Sequence, residues 1–180
     1  MAKLKILQYP DPRLKRIAVT VEDFGPAMQQ IIDDMFETHY SSENCAALAA
    51  TQLDMEPAWR ITVIDYSEQK NNPLCLVNPE IIESFGEQFE IEGCMSVYPD
   101  QVYDKVKRAQ TVLVKAQDRH GNPIEIKADG YFAKCLQHEI DHLDGKTYLD
   151  RVPKIKRDRL LNKVKKAKRI EKKNAIDSTK

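Results

Sequence analysis

Residues 131–143 read Tyr-Phe-Ala-Lys-Cys-Leu-Gln-His-Glu-Ile-Asp-His-Leu, and they indicate where the centre of the fold lies. In a helix with this sequence, apolar side chains lie on most sides, which is typical of a helix buried in the middle of a domain. Asp129 and Gly130 suit its first turn, and Gly145 stands where a helix commonly ends. We therefore predict a central helix whose polar side chains need partners inside the fold.

That helix carries the motif His138-Glu139-Ile140-Asp141-His142. An α-helix turns about 100° per residue, so two imidazoles four positions apart lie about 40° apart on one face and can bind the same ion. The simpler alternative is a pair of core or surface histidines, but a buried helix would then have to satisfy both rings by other means. The motif thus predicts a metal site.

Cys94 is the candidate for the third metal ligand, because a catalytic site usually takes three protein ligands and leaves one position for water. It lies in Glu92-Gly93-Cys94-Met95-Ser96, after a predicted strand, where the glycine permits close approach of the backbone. A cysteine after a glycine is, taken alone, more often a small core residue. Beside the histidine motif, its thiolate becomes a strong ligand for a borderline metal.

The other cysteines and two histidines are interpreted as uninvolved in catalysis. His39, near the end of a predicted helix, and His120, in a turn, are expected to be exposed. Three cysteines lie in apolar runs and are expected to pack as small hydrophobic side chains: Cys45, Cys75 and Cys135.

Glu139 is placed beside the predicted ion, where it can accept a proton from a water whose pKa the metal lowers to about 7, and then deliver that proton to a leaving group. This chemistry hydrolyses a carbonyl compound. The negative charge on the carbonyl oxygen needs donors, for which a backbone N–H and an amide side chain are suited. Gln52 is the candidate amide, and its alternative interpretation is a solvated loop residue.

The rest of the chain predicts a second helix and a set of strands. The helix begins at Gly25-Pro26, where apolar residues recur at helical spacing. Short β-prone runs follow between residues 60 and 129 and indicate mostly antiparallel strands. The predicted strands are residues 61–64, 74–77, 88–91, 111–114 and 124–126, and the predicted turns are residues 71–73, 78–79 and 118–121.

The bulk composition is that of one soluble domain. Of the 180 residues, 42% are hydrophobic, which is enough for a core, yet no uninterrupted apolar stretch approaches the length of a bilayer crossing. The first residues contain two lysines but then reach Pro10 and the charged Asp11, so they lack the apolar segment of a signal peptide. We expect a cytoplasmic protein with no membrane association.

Charge divides the chain into two parts. Residues 151–180 hold 13 of the 28 Lys and Arg but 3 of the 28 Asp and Glu, which leaves 15 basic against 25 acidic residues in residues 1–150. We predict one catalytic domain over residues 1–150, and a basic helix with a frayed tail over residues 151–180. The tail suits an anionic partner. The predicted helix has a narrow apolar stripe: Leu160, Leu161, Val164, Ala167 and Ile170.

Three segments, in this order, resemble the signature motifs of bacterial peptide deformylases: Leu48-Ala-Ala-Thr-Gln52, Glu92-Gly-Cys-Met-Ser96 and Gln137-His-Glu-Ile-Asp-His142. Further similarity covers nearly all of residues 5–151. A cysteine motif followed by His-Glu-x-x-His at this separation is unusual among metallohydrolases, so the resemblance is specific.

The resemblance implies an α+β fold, with antiparallel β-sheets around a central metal-binding helix and with N-terminal and C-terminal helices. It implies removal of the formyl group from formylmethionyl nascent polypeptides, with Glu139 as acid and base and with Gln52 and the Met95 N–H binding the oxyanion. The implied cofactor is one divalent ion held by Cys94, His138 and His142, typically Fe²⁺, with Ni²⁺, Co²⁺ or Zn²⁺ as substitutes. The implied protein is a monomer whose C-terminal helix docks on the ribosome.

The departures from the family pattern cluster in the substrate groove. A glycine-rich start of the first motif is replaced by Cys45-Ala46-Ala47. Positions that are often apolar correspond to Glu90, Tyr131 and Lys134, and an ion pair between Glu90 and Lys134 would narrow or polarise the pocket. The substrate-facing positions implied by the resemblance are Cys45, Ala46, Ala47, Glu90, Glu92, Tyr131 and Lys134.

Two alternatives to an active deformylase stay open at this point. A metallopeptidase shares the His-Glu-x-x-His motif, but such sites usually take His or Glu as the third ligand. The altered first motif also permits a catalytically weakened, deformylase-like binding protein. The first would cleave peptide chains, and the second would hold metal without turnover.

Overall fold

The described part of the chain contains two antiparallel sheets, three α-helices and three short 3₁₀ helices. The structure is a computed structural model that describes residues 2–99 and 101–177, with side chains up to residue 166. The helices are α1 (Pro26–Tyr40), α2 (Gly130–Leu143) and α3 (Lys154–Asp177). The strands are β1 (Ala47–Ala49), β2 (Ile61–Ile64), β3 (Leu74–Phe85), β4 (Gln88–Glu92), β5 (Asp104–Arg108), β6 (Thr111–Gln117) and β7 (Pro123–Asp129).

The larger sheet lies between α1 and α2. Its five strands run in the order β1-β2-β3-β6-β7, and β4 pairs with β5 in a separate two-stranded sheet. Since successive side chains of a strand point to opposite faces, Ile61 and Val63 of β2 pack with α1, whereas Ile64 packs with α2. All four residues of β2 are buried. The predicted α+β fold around a central helix is thus confirmed.

The predicted strands are all present, but the sequence did not reveal β1 and β5. β5 reads Asp-Lys-Val-Lys-Arg, and its first, third and fifth residues are the buried ones. Two of those three are charged, so the alternation of burial does not appear as an alternation of apolar residues. The ends of the strand are buried because Asp104 pairs with Lys156 and Arg108 pairs with Glu92.

The turn predicted at residues 78–79 is wrong. β3 continues through these residues, and the pairing register with β6 shifts between Val77 and Glu80. Asn78 has φ of +52°, and its side chain bonds both the N–H and the carbonyl of Val21 at 2.9 Å and donates to Gln117 at 2.8 Å. Asn and Pro therefore produce a β-bulge here rather than a chain reversal.

The first part of α3 packs on the body of the protein. Leu161 and Val164 belong to a cluster with Val97, Val102 and Tyr148, and Leu160 packs at its edge. The remaining two residues of the predicted stripe, Ala167 and Ile170, lie beyond the described side chains, and the end of the predicted tail, residues 178–180, lies outside the described residues. None of the helices described is long and apolar enough to cross a membrane.

Gly145, two residues after the end of α2, lies where a side chain would clash with the backbone. Its φ is +71°, and a Cβ at this position would lie 2.5 Å from the carbonyl oxygen of Lys15. Gly130 also has a positive φ, of +55°, but a Cβ there would meet nothing nearer than Gln110 Nε2 at 3.9 Å. Alanine substitutions at the two glycines therefore distinguish the cost of backbone strain alone from the cost of strain plus a steric clash.

We predict that Gly145→Ala lowers the free energy of unfolding by about 3 kcal/mol, from left-handed backbone strain plus displacement of the Lys15 backbone. The matched control, Gly130→Ala, adds the strain alone and should lose about 1–2 kcal/mol. Denaturant unfolding of both variants measures the difference. Equal losses would show that the contact with Lys15 is unimportant.

Candidate metal centre and substrate cavity

Cys94, His138 and His142 converge on one point. Cys94 Sγ lies 3.1 Å from His142 Nε2, which in turn lies 3.2 Å from His138 Nε2, and the three ligand atoms all fall within 4.8 Å of one another. A tetrahedral site with metal–N and metal–S bonds of ordinary length has edges of about 3.3–3.6 Å. The donor set and its spacing therefore fit one divalent ion.

Separate elements supply these ligands. The two histidines are one turn apart on α2, as the motif predicted, and Cys94 follows the end of β4. Burial lowers the pKa of His142 well below its ordinary value, so this ring is neutral, which is the form that binds metals. The thiol lies beside the histidines because Glu92 and Arg108 of the two-stranded sheet bind side chains of α2.

A buried charge network orients His138. Glu92 Oε2 lies 2.8 Å from His138 Nδ1, and Arg108 binds both oxygens of Glu92 at 2.7 and 2.9 Å. Arg108 also reaches Asp141 at 2.5 Å, and Arg151 binds the same carboxylate at 2.5 and 2.7 Å. Burial disfavours the charge on Glu92, but hydrogen bonds from Arg108 and His138 prevail and lower its pKa to about 2.

Glu139 is buried beside the ligands and lines the cavity in front of them. Its Oε2 has no hydrogen-bond partner among the described residues. Burial raises its pKa to about 7, against the opposing effect of His138 and Arg108. A carboxyl group with this pKa can both accept and release a proton at neutral pH.

Gln52 is buried and held in one orientation, so its interpretation as a solvated loop residue does not apply. Its Oε1 accepts from the N–H of Ala49 at 2.9 Å, which turns Nε2 toward Cys94 Sγ at 3.5 Å and Ser96 Oγ at 3.1 Å. Thr51 Oγ1 donates to the carbonyl of His142 at 2.8 Å and so ties this turn to α2. An amide donor thus stands at the metal centre.

The metal centre opens into a cavity of about 520 Å³. The cavity is large enough for several peptide residues, and Met95 lines it next to Cys94. Five of the predicted substrate-facing residues also line it: Ala46, Ala47, Glu92, Tyr131 and Lys134.

A comparison with known proteins gives this site its context. The family model for polypeptide deformylase matches residues 3–158. The chain belongs to the polypeptide deformylase family.

Individual deformylases are similar over nearly the whole chain. Peptide deformylase 1 of Coxiella burnetii is 58% identical over 165 residues, which are 92% of this chain and 96% of that protein. The solved structure of a Legionella pneumophila peptide deformylase has a TM-score of 0.85 and 45% identity, over 94% of this chain and 98% of that one. The Ehrlichia chaffeensis enzyme in complex with actinonin has a TM-score of 0.83 and 37% identity, over 94% and 99% of the two chains.

Two of the positions predicted to face substrate do not line the cavity. Cys45 is 1% exposed and packs in the core against α1, so it adds no side chain to the cavity. Glu90 is exposed outside the lining, while Ile91 lines it. Glu90 shares a face of β4 with Glu92 but lies about 7 Å farther along the strand from the metal ligands.

The ion pair proposed between Glu90 and Lys134 is wrong. Among the described residues no ion pair joins the two side chains. Lys134 Nζ instead donates to the carbonyl of Ile91 at 3.1 Å and lies 4.8 Å from the centre of the Tyr131 ring. Because the Glu90 side chain is exposed outside the cavity, Lys134 contacts a carbonyl oxygen and an aromatic ring instead.

The predictions for the remaining cysteines and histidines need one correction. Cys45 and Cys135 are buried, Cys75 is partly buried, and His120 is exposed, as expected. His39 was expected to be exposed but is fully buried, edge-on to Tyr40. His39 comes seven residues after Ile32 and four after Met35, so it lies on the same core face of α1. This spacing could have revealed its burial.

Sequence reasoning also missed Arg108 as a part of the site. Glu92 was predicted to bind substrate, but its oxygens are engaged by Arg108 and His138, so it positions a metal ligand. A buried arginine between two carboxylates leaves no local pattern in the sequence, because its partners lie 16 and 33 residues away. Asp141, inside the histidine motif, offered the nearest signal.

We predict that Glu92→Gln weakens metal binding by about 10- to 100-fold, because the hydrogen bond that orients His138 loses its charge. The matched control, Glu90→Gln, makes the same change on an exposed residue of the same strand and should leave metal affinity unchanged. Competition with a colorimetric chelator measures both affinities. Equal affinities in the two variants would contradict the role given to Glu92.

Proposed function

We propose that this chain removes the N-terminal formyl group from formylmethionyl nascent polypeptides, releasing formate. The observation that carries the proposal is the buried Glu139 carboxyl group, which is unpartnered at Oε2 and lines the same cavity as the ligands Cys94 and His138. Membership of the deformylase family supports the substrate class. The reaction breaks the bond between the formyl carbon and the methionine nitrogen.

Each residue at the site has a distinct task. When bound, the ion polarises the formyl carbonyl and lowers the pKa of a water molecule. Glu139 accepts a proton from the attacking water and passes it to the departing amine, which leaves as a free N-terminus. Gln52 Nε2 and the N–H of Met95 donate to the oxygen that gains negative charge.

The ion is proposed to be Fe²⁺, with Ni²⁺, Co²⁺ or Zn²⁺ able to substitute. Two imidazoles and one thiolate form a borderline donor set that binds all four ions. Cys94 lines the cavity, so its thiolate is open to oxidation by small molecules that enter there. Because Fe²⁺ itself reacts with dioxygen whereas Ni²⁺ does not, we expect the iron form to lose activity in air faster than the nickel form.

The decisive assay offers anaerobically purified, iron- or nickel-loaded protein a formyl-Met peptide and an unblocked peptide. Formate release without chain cleavage is the expected result, and a chelator should abolish it. Glu139→Gln, which keeps the side-chain volume, should retain metal but lower kcat by about 10²- to 10⁴-fold. Cys94→Ser should instead weaken metal binding.

Other results would favour the alternatives. Cleavage of the unblocked peptide would indicate a metallopeptidase, in which Glu139 serves peptide-bond hydrolysis. Stoichiometric metal with no formate would indicate a binding protein that has lost turnover. Full activity in the Glu139→Gln variant would remove the proposed proton carrier.

We also propose that residues 1–150 form the catalytic domain and that residues 151–180, a basic C-terminal helix and tail, dock on the ribosome. The proposal rests on the division of charge and on the exposure of Lys163, Lys165 and Lys166, while Leu161 and Val164 of the same helix pack inward. Cations on a docked helix form a fixed surface for ribosomal RNA or acidic proteins.

A variant in which three exposed lysines of α3 are all replaced by Glu should no longer co-sediment with ribosomes, because phosphate contacts dominate such binding. The three are Lys163, Lys165 and Lys166. Binding of the wild-type protein should weaken steeply with salt. Replacing Lys115, Lys127 and Lys146 with Glu makes the same charge change on other surfaces and serves as the control. Loss of binding in both triple variants would show that overall charge, and not this helix, is responsible. The free protein should sediment as a monomer in the same runs.

A cytoplasmic location is part of the proposal. Formylated nascent chains are made in the cytoplasm, and the four cysteines are free, as a reducing compartment would keep them. A thiolate ligand such as Cys94 requires the same conditions.

A further inference from the structure

Lys134 brings a positive charge to the substrate cavity without a carboxylate partner among the residues that the structure describes. Its ammonium group has three donors, and one of them goes to the carbonyl of Ile91 at 3.1 Å. The group rests 4.8 Å from the centre of the Tyr131 ring, which attracts a cation without neutralising it. Two donors therefore remain for a ligand.

The other charges in the lining do not neutralise Lys134. Glu92 is bound by Arg108 and His138, and Glu139 belongs to the reaction centre. Lys3 and Glu43 are both exposed at the rim and contribute one charge of each sign. The part of the cavity wall that contains Lys134 therefore keeps its positive charge.

The position of Lys134 suits the early residues of a peptide. It precedes His138 by one turn of α2, so their Cα atoms are separated by a rise of about 6 Å. An extended peptide advances about 3.4 Å per residue from the formyl group. In a peptide that extends from the metal ligands toward Lys134, the second and third residues lie about 7 and 10 Å from the formyl group, within reach of the lysine side chain.

We propose that Lys134 forms an anion-recognising subsite that favours formylated chains with Asp or Glu at the second or third residue. The inference rests on the proposed deformylase function and adds a substrate class to it. The acidic side chain would accept hydrogen bonds from the two free donors of the ammonium group, with Tyr131 holding the cation in place.

The size of the preference follows from the partial exposure of Lys134. Ion pairs that remain in contact with water contribute about 0.2–1 kcal/mol, which corresponds to a preference of up to about fivefold. Screening should remove most of it as the Debye length falls from about 30 Å at 0.01 M salt to about 3 Å at 1 M. A preference from shape alone would not depend on salt in this way.

The test measures kcat/KM for formyl-Met peptides that carry Glu, Gln or Lys at the second residue, and for a second series with the change at the third. Glu and Gln have the same shape, so their ratio isolates charge. In one or both series, we expect kcat/KM at low salt to be about two- to fivefold higher for the Glu peptide than for the Gln peptide, and lowest for the Lys peptide. At high salt the Glu/Gln ratio of kcat/KM should be near one.

Two variants test whether Lys134 causes the preference for Glu over Gln. Lys134→Met should bring the Glu/Gln ratio to one at low salt, and this ratio is independent of how much of the variant is folded. Lys115→Met removes an exposed lysine outside the cavity and should keep the wild-type ratio. A wild-type ratio of one in both series, or a ratio that persists in Lys134→Met, overturns the subsite. Formate from no peptide overturns the proposed function, and the subsite with it.

Discussion

Arg108 lies between two carboxylates, with a side chain that is 0% exposed, and those of Glu92 and Asp141 are 3% and 6% exposed. The arginine comes from β5, Glu92 from β4 and Asp141 from α2, so one guanidinium joins the small sheet to the central helix. Arg151 adds a second positive charge on Asp141, and the four charges balance. Removing one partner of such a buried group leaves an uncompensated charge and typically costs about 3–5 kcal/mol.

The metal centre depends on this connection. Cys94 follows β4 while the histidines are on α2, and the charge network is what brings the two elements together with a defined separation. The same Glu92 carboxylate holds His138 through Nδ1, so its Nε2 faces His142 Nε2 and would be free to bind an ion. Thr51 completes the arrangement by fixing the turn of Gln52 against the last carbonyls of α2.

The cavity divides into a part that follows the deformylase pattern and a part that departs from it. In the first part, the ligand atoms of Cys94, His138 and His142 lie within 4.8 Å of one another, and Glu139 lines the cavity beside them. The altered first motif changes the wall less than its sequence suggested, because Cys45 is buried in the core and only Ala46 and Ala47 line the cavity. Lys134 is the departure that changes the chemistry of the wall.

The sequence by itself determined the central helix, the pairing of its histidines, the turn at Gly145 and most of the strands. These features follow from short-range geometry: helical and strand periodicity and the conformations open to glycine. Only the tertiary structure decided that Arg108 binds Glu92, that Asn78 forms a bulge and that Lys134 contacts the carbonyl of Ile91 rather than the side chain of Glu90. Each of these depends on groups far apart in the chain, whose meeting is set by how sheets and helices pack, and local pattern carries no record of that.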